Sequence, residues 1–448
     1  MKRKIPLTLL LVLSLSLVTT QSIAGGFADS SADKSMDFAA GRSLFKKLWI
    51  AAPTATKSSD GLGPLYNARS CFQCHINAGR GQVPAPQQRA VSLFMRLSIP
   101  AQNASDRQAL KSYRQGVIPE PRYGTQFQTF AVTGLPAEGE LQIRYRNLKI
   151  QLAGGETVLL QQPEYQLKNL QFGSLHPQTQ MSPRLAPSLF GMGELAKISE
   201  QAILHYSDPN DENKDGISGK PNRVWSREFK QVMLGRFGYK AGVASLDEQN
   251  QSAFSGDLGL STRLFPHGWG DCTPYQSICR NAPHGDDGSQ GLEAPKKVTD
   301  AVLYYVSHLK LPKQPAKPSA DSIAGKKHFI QAGCVACHRS NFQLGDTASN
   351  QKTIAPYSDL LLHDMGEGLA DHRTEGDANG KEWRTTPLWG IGLTERINGH
   401  HYYLHDGRAR TLQQAILWHG GEANKARDYY VKLAKKERQQ LLYFLGTL

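Results

Sequence analysis

Apolar positions along the chain fall into three patterns. At the start, LTLLLVLSLSLV follows Lys2, Arg3 and Lys4 and leads to small residues ending Ser22-Ile23-Ala24. This is the layout of a signal peptide over residues 1–24, too short and wrongly flanked for a stable membrane span. No cysteine sits near the cleavage site, so a lipid anchor is not expected, and no later segment is apolar enough to span a membrane. The second pattern is helical: AGRSLF (40–45) and AGKKHF (324–329) suit one pair of helices, AVLYYVSHL (301–309) and QLLYFLGTL (440–448) another. The third is alternation, in ELQIRYRNLKIQL (140–152) and ETVLLQQPEYQL (156–167), which predicts antiparallel strands.

The helical pairs belong to an internal repeat. RLAPSLFGMGEL (184–195) parallels RTTPLWGIGL (384–393), and EQAILHY (200–206) parallels QQAILWH (413–419), which sets Tyr206 opposite His419 and His205 opposite Trp418. The chain therefore reads as two units, 25–311 and 321–448, joined by a proline-rich linker at 312–320. The first unit carries a long insertion, about residues 85–183, where the alternating stretches lie. The expected fold class is mainly α: two helical units in tandem, the first with a partly β insertion.

The six cysteines sort by spacing. Cys71, Cys74 and His75, then Cys334, Cys337 and His338, form two C-x-x-C-H sequences. That pentapeptide is the attachment signal for c-type haem, two thiols forming thioethers and the adjacent histidine lying under the iron. A thioredoxin-type pair would want a single C-x-x-C in a βαβ setting, and a zinc site does not explain a histidine after each pair. Two covalent haems, held by His75 and His338, are expected, each in a unit of cytochrome c plan. Cys272 and Cys279 remain; in an oxidising compartment they read as a disulfide closing a small loop, with two free thiols as the other reading.

The formal charge is +13, and +10 without the signal peptide, whose only charges are its three basic side chains. Such a surface is either a docking face for an acidic partner or diffuse charge. No arginine-rich stripe suggests nucleic acid.

GLGPLYNARSCFQCH, RFGYKAGVASL, NKDGISGKPNRV and LHDGRARTLQQAILWHGGEA resemble the thiol oxidoreductase-like branch of the di-haem cytochrome c peroxidase and MauG superfamily, over nearly the whole mature chain. The resemblance implies a division of labour. The C-terminal haem would be six-coordinate and relay electrons, with His419 as sixth ligand and His363 and Met365 as rivals. The N-terminal haem would keep an open site for peroxide, the position equivalent to His419 being Tyr206, with His205 one step off. A distal glutamine matches Gln201, and a distal acid falls near Glu200, Asp208 or Asp211. His176 is another distal candidate, each of these having an ordinary surface or loop reading as well. The superfamily's W-D-G-R-A segment is missing from the first unit, which leaves Phe190, Trp389 or Tyr66 as bridges between the haems.

SDPNDENKDGISGKPN (207–222) places Asp211, Asn213 and Asp215 in alternation before Gly216, as a calcium loop does, although Asn222 stands where the bidentate glutamate would be. A solvated Asp/Asn turn is the plain alternative. The function expected is an exported, periplasmic di-haem oxidoreductase of peroxidase type, served by a small redox protein, cytochrome or cupredoxin. Its alternatives are a pure electron-transfer cytochrome and a MauG-like oxidant of a partner protein.

Overall fold

The computed structural model describes residues 36–285, 291–310, 318–344 and 352–448; the expected signal peptide and residues 312–317 of the expected linker lie outside them. The elements used below are helices α1 (Met36–Lys46), α2 (Leu246–Leu258), α3 (Lys296–Ser307), α4 (Ala320–Gln331), α5 (Leu412–Trp418) and α6 (Lys435–Gly446). The strands are β1 (Leu93–Ser98), β2 (Glu140–Gln151), β3 (Thr157–Lys168) and β4 (Gln180–Leu185).

The mainly α expectation is corrected. About 30% of the chain is helical and 20% is strand, the strands forming many small sheets. Ladders also occur far outside the insertion, at Arg223–Ser226 with Gln231–Leu234 and at Leu362–Asp364 with Glu382–Arg384. The repeated helices are the recognisable part of the sequence, but the segments between them run extended. Their backbone groups must still be paired, and short two-strand ladders do this.

Each unit is built on one helix crossing. Gly41 of α1 lies so close to α3 that a side chain there would collide with the Ala301 carbonyl, and Gly325 of α4 stands in the same relation to Gln440 of α6. Phe45 then meets Tyr305 at 5.2 Å, and Phe329 meets Phe444 at 5.4 Å, between ring centroids. The repeat extends to the closing turns: Gly191 N–H donates to Leu309 O, and Gly390 N–H to Leu448 O.

The two units clasp each other reciprocally. Behind His75, Asn77 donates to Ile397 O at 2.9 Å, Asn398 donates to Ile76 O and Arg80 O, and Arg80 donates to Tyr402 O and Leu404 O. Behind His338, Phe342 and Leu344 bury themselves among Leu195, Ile198 and Ile203 of the first unit.

The insertion does not stay with its own unit. β4 pairs with β1 in a three-stranded sheet, while β2 and β3 form a twelve-pair hairpin. Its connection, residues 152–156, uses Gly154 and Gly155, both at positive φ (85° and 82°), which glycine adopts without steric cost. The hairpin buries Leu152, Val158 and Leu160 in the C-terminal core beside Leu417 and Trp418 of α5. Arg438 pins the turn, donating to Glu156 Oε2 at 2.7 Å and to Ala153 O at 3.2 Å.

Candidate functional site

Ser70 caps the turn Cys71–Cys74 by accepting from Gln73 N–H, and His75 N–H closes on Cys71 O at 2.9 Å. In the second copy Gly333, in the left-handed region at φ 81°, starts the Cys334–Ala336 turn, and His338 N–H closes on Cys334 O at 2.9 Å. Each imidazole is oriented from behind by a carbonyl: His75 Nδ1 lies 2.8 Å from Pro187 O, and His338 Nδ1 2.8 Å from Tyr357 O. His419, the residue that caps α5, has Nδ1 2.7 Å from Ala415 O. A ring that donates its Nδ1 proton to a carbonyl holds a lone pair on Nε2, the state in which histidine ligates a metal. Burial pushes the pKa of His75 and of His338 down to about 4, and lowers that of His419, so all three stay neutral.

These residues fit two haems. The donor chemistry is right at three histidines. In addition, the buried side-chain atoms left without a hydrogen-bond partner among the described residues of the C-terminal unit are all nitrogens: Arg339 Nε, Arg373 Nε, His405 Nε2, Arg410 Nη1 and Trp418 Nε1. Haem carboxylates are the acceptors such a set lacks.

The rivals for the sixth position have contacts of their own. His363 has both nitrogens engaged, Nε2 with Asp359 Oδ2 at 2.8 Å and Nδ1 with Glu422 Oε2 at 2.7 Å. Met365 packs against the C-terminal core, with its N–H on Lys381 O. On the first unit Tyr206 turns toward the other unit, its hydroxyl donating to Asn341 O, its ring edge-on to Phe342 at 5.6 Å and under Arg339 at 4.8 Å. His205 is exposed at the end of Glu200–Leu204.

The three expected distal residues do not come together. Gln201 is exposed. Glu200 accepts from Leu234 N–H at 3.1 Å and faces Arg223 at 3.7 Å. His176 caps its own turn, Nδ1 accepting from Gln178 N–H, with its backbone N–H on Glu120. Asp208 and Asp211 also serve their own loop: Asp208 accepts from Glu212 N–H and Asn213 N–H, Asp211 from Gly216 N–H. Asn213 and Asp215 each accept from the N–H two residues on, and Lys425 Nζ donates to Asp215 O. Cys272 and Cys279 are joined in a disulfide, Cα to Cα 6.3 Å.

Of the three candidate bridges, Trp389 reaches across the junction. It packs on Gly191 of the first unit and lines, with Tyr357 and Leu303, a cleft of about 900 Å³ between the units. Phe190 is buried in the N-terminal core, and Tyr66 stacks on Phe130 at 5.7 Å.

Sequence reasoning missed a buried ionic cluster. Arg184 of the first R-x-x-P and Lys240 of RFGYK meet Asp371, with Lys240 Nζ 2.9 Å from Asp371 Oδ1, and both cations sit 4.7 Å from the Trp383 ring. Burial brings the Lys240 pKa down to about 8. Trp383 stacks on His405 at 3.8 Å. The cluster ties β4 to the C-terminal unit, so the arginine of that motif is a structural joint. Its only signal in the sequence is the pairing of Arg184 with Arg384 in the repeat.

No curated protein matches the chain. Among solved structures, one described as hydrazine synthase of Kuenenia stuttgartiensis pressurized with xenon is similar at 16% identity, over 57% of this chain and 91% of that one. Its TM-score of 0.25 is too low to carry an argument. The family described as "Di-haem oxidoreductase, putative peroxidase" matches residues 19–448, and the chain belongs to that family of di-haem redox enzymes.

Proposed function

We propose that the protein is an exported, periplasmic di-haem c-type oxidoreductase of peroxidase type, with an open N-terminal haem as the reaction site and a six-coordinate C-terminal haem that relays electrons. The observation that carries this reading is the unequal sixth position. His419 is held at Nδ1 by the Ala415 carbonyl, which leaves the lone pair on Nε2, whereas Tyr206, its counterpart, is committed to Asn341 of the other unit.

Cys71, Cys74 and His75 would hold one haem, and Cys334, Cys337, His338 and His419 the other. The haems supply the one-electron and peroxide chemistry when bound. The protein's own part is to fix ring tautomers through Pro187, Tyr357 and Ala415 carbonyls, and to set an aromatic side chain, Trp389, against the backbone of the opposite unit. Electrons are supplied by a small redox protein that docks on a basic surface. A calcium ion at Asp211, Asn213 and Asp215 belongs to the same proposal, and calorimetry with chelator-treated protein checks it.

Electron paramagnetic resonance and optical titration of the oxidised and half-reduced protein, with and without cyanide or peroxide, test the reading. One low-spin bis-histidine signal plus one high-spin signal that shifts on ligand addition is expected. Two low-spin haems that no ligand disturbs, even when half reduced, would leave a pure electron carrier.

A further inference from the structure

A second buried polar group lies beside the first C-x-x-C-H, apart from the ionic cluster. Asp257, near the end of α2, accepts through its backbone carbonyl from Asn67 N–H at 2.9 Å and Ala68 N–H at 3.2 Å. Ala68 packs with Cys74, and Phe254, one turn before Asp257, shares the N-terminal core with Cys71. Gln126 and Gln128 reach the same place from the insertion. They flank Phe127, whose ring packs with Met95, Leu97 and Tyr123, so the two amides share the opposite face. Gln126 Nε2 donates to Asp257 Oδ1 at 2.7 Å and to Asn67 Oδ1 at 2.6 Å. Both amides also donate to Gly256 O, Gln126 at 3.1 Å and Gln128 at 2.8 Å.

Those donations fix which way each amide faces. Gln126 Oε1 and Gln128 Oε1 are then buried acceptors with no donor among the described residues, and the two residues are only 0% and 3% exposed. Asp257 Oδ2 likewise accepts no hydrogen bond among the described residues. A buried acceptor left unpaired is costly, so two amides sharing one carbonyl and each lacking a donor point to a ligand that brings two. The glutamines are held firmly from behind. Asp271 Oδ2 accepts from Gln126 N–H at 2.9 Å, Glu138 Oε2 from Gln128 N–H at 2.5 Å, and Gln276 Nε2 donates to Glu138 Oε1 at 2.5 Å. Asp271 immediately precedes the loop that the Cys272–Cys279 disulfide closes, and Gln276 lies within it.

We propose that Gln126, Gln128 and Asp257 form the peroxide site of the N-terminal unit, the two amide carbonyls accepting from the two O–H groups of hydrogen peroxide and Asp257 carrying a proton between its oxygens. This is the place that Gln201, Glu200 and His176 do not fill, and the proposal rests on the peroxidase reading. Asp257 Oδ2 takes the proton of one peroxide oxygen and returns it to the other, which leaves as water when the O–O bond breaks. The remaining oxygen becomes a second water with two electrons from the redox partner and two protons from solvent. Burial raises the Asp257 pKa, which suits a carboxylate that holds a proton in transit. Asp271, Glu138 and Gln276 are positioning residues, and the disulfide keeps two of them in place.

The test uses the purified di-haem protein and two variants of conserved volume. Asp257→Asn keeps an acceptor for Gln126 but cannot carry a proton, and Gln128→Met removes one acceptor. Half-reduced protein is mixed with hydrogen peroxide by stopped flow. Separately, the infrared stretching band of carbon monoxide bound to the reduced protein reads the polar groups facing a bound ligand, without turnover. Asp257→Asn should slow the peroxide reaction about a hundredfold or more, as for loss of a proton-transfer group, and Asp257→Glu should restore part of the rate. Gln128→Met should raise KM for peroxide about tenfold with kcat little changed, as for loss of one buried hydrogen bond. Both Asp257→Asn and Gln128→Met should shift the carbon monoxide band and leave the high-spin signal in place. Wild-type rates in both variants overturn the proposal. So does a slowed reaction with the carbon monoxide band unmoved, which marks a structural role only. A wild-type protein that neither reacts with peroxide nor binds carbon monoxide would instead remove the peroxidase reading itself.

Discussion

Trp389 of the C-terminal unit lies on the backbone of Gly191 in the N-terminal unit; a methyl group on that glycine would come within 2.7 Å of Trp389 Cε2. Gly191 also sits at φ 76°, where a side chain is strained. Gly191→Ala is therefore expected to cost about 2 kcal/mol and to push the indole from the junction. Trp389→Leu should keep the fold and slow electron exchange between the units. Stopped-flow absorbance after half reduction measures the exchange, and denaturant unfolding the stability.

His419→Ala should convert the low-spin signal of the C-terminal haem to a high-spin one and leave the N-terminal signal unchanged. His419→Met should keep it low-spin and raise its potential, since a thioether ligand favours the reduced iron. Potentiometry with electron paramagnetic resonance checks both.

Tyr206→Phe should leave both haem spectra as they are, because the hydroxyl donates to Asn341 O at 3.5 Å. The cost in stability should be below about 1 kcal/mol, as for a long, exposed hydrogen bond. A changed N-terminal signal would return Tyr206 to the ligand set.

Glu375 gives a pH prediction. Burial alone would raise its pKa, but Arg373 at 2.5 Å and Arg184 at 3.4 Å override burial and hold it at about 2. A folded-state value below the ordinary 4.5 means stability that is present above pH 4.5 and lost as pH falls toward 2. Glu375→Gln should be less stable than wild type by about 2 kcal/mol at pH 6, allowing for the partly exposed carboxylate. The gap should close by pH 2–3, read by thermal unfolding across that range.

Arg438→Ala should release the hairpin turn, since a buried guanidinium there holds Glu156 and Ala153 from another unit. A loss of roughly 2–4 kcal/mol is expected. Limited proteolysis should show new cleavage near Gly154-Gly155.

What could be read in advance was what is local. The C-x-x-C-H turns, the glycines at the helix crossings and the β2–β3 alternation are each written in a few consecutive positions. The mainly α expectation failed because the repeated helices stand out, while the extended segments between them carry no periodic signal. Equating Tyr206 with His419 was sound as alignment, but the Glu200–Leu204 helix ends early and runs into the Asp/Asn-rich loop, which turns Tyr206 toward Asn341. The partners of His75 and His338 are carbonyls, which leave no mark in a sequence. Glu422 meets His363 across 59 positions, a distance only the fold closes.

The reciprocal clasp bears on how such a chain can change over generations. Asn398 of one unit braces the loop behind His75, and Tyr206 of the other rests on the loop behind His338. Neither half contains everything its own haem loop leans on. The two repeated units are therefore a pair that cannot be exchanged or lost singly, so change in either half must be answered in the other.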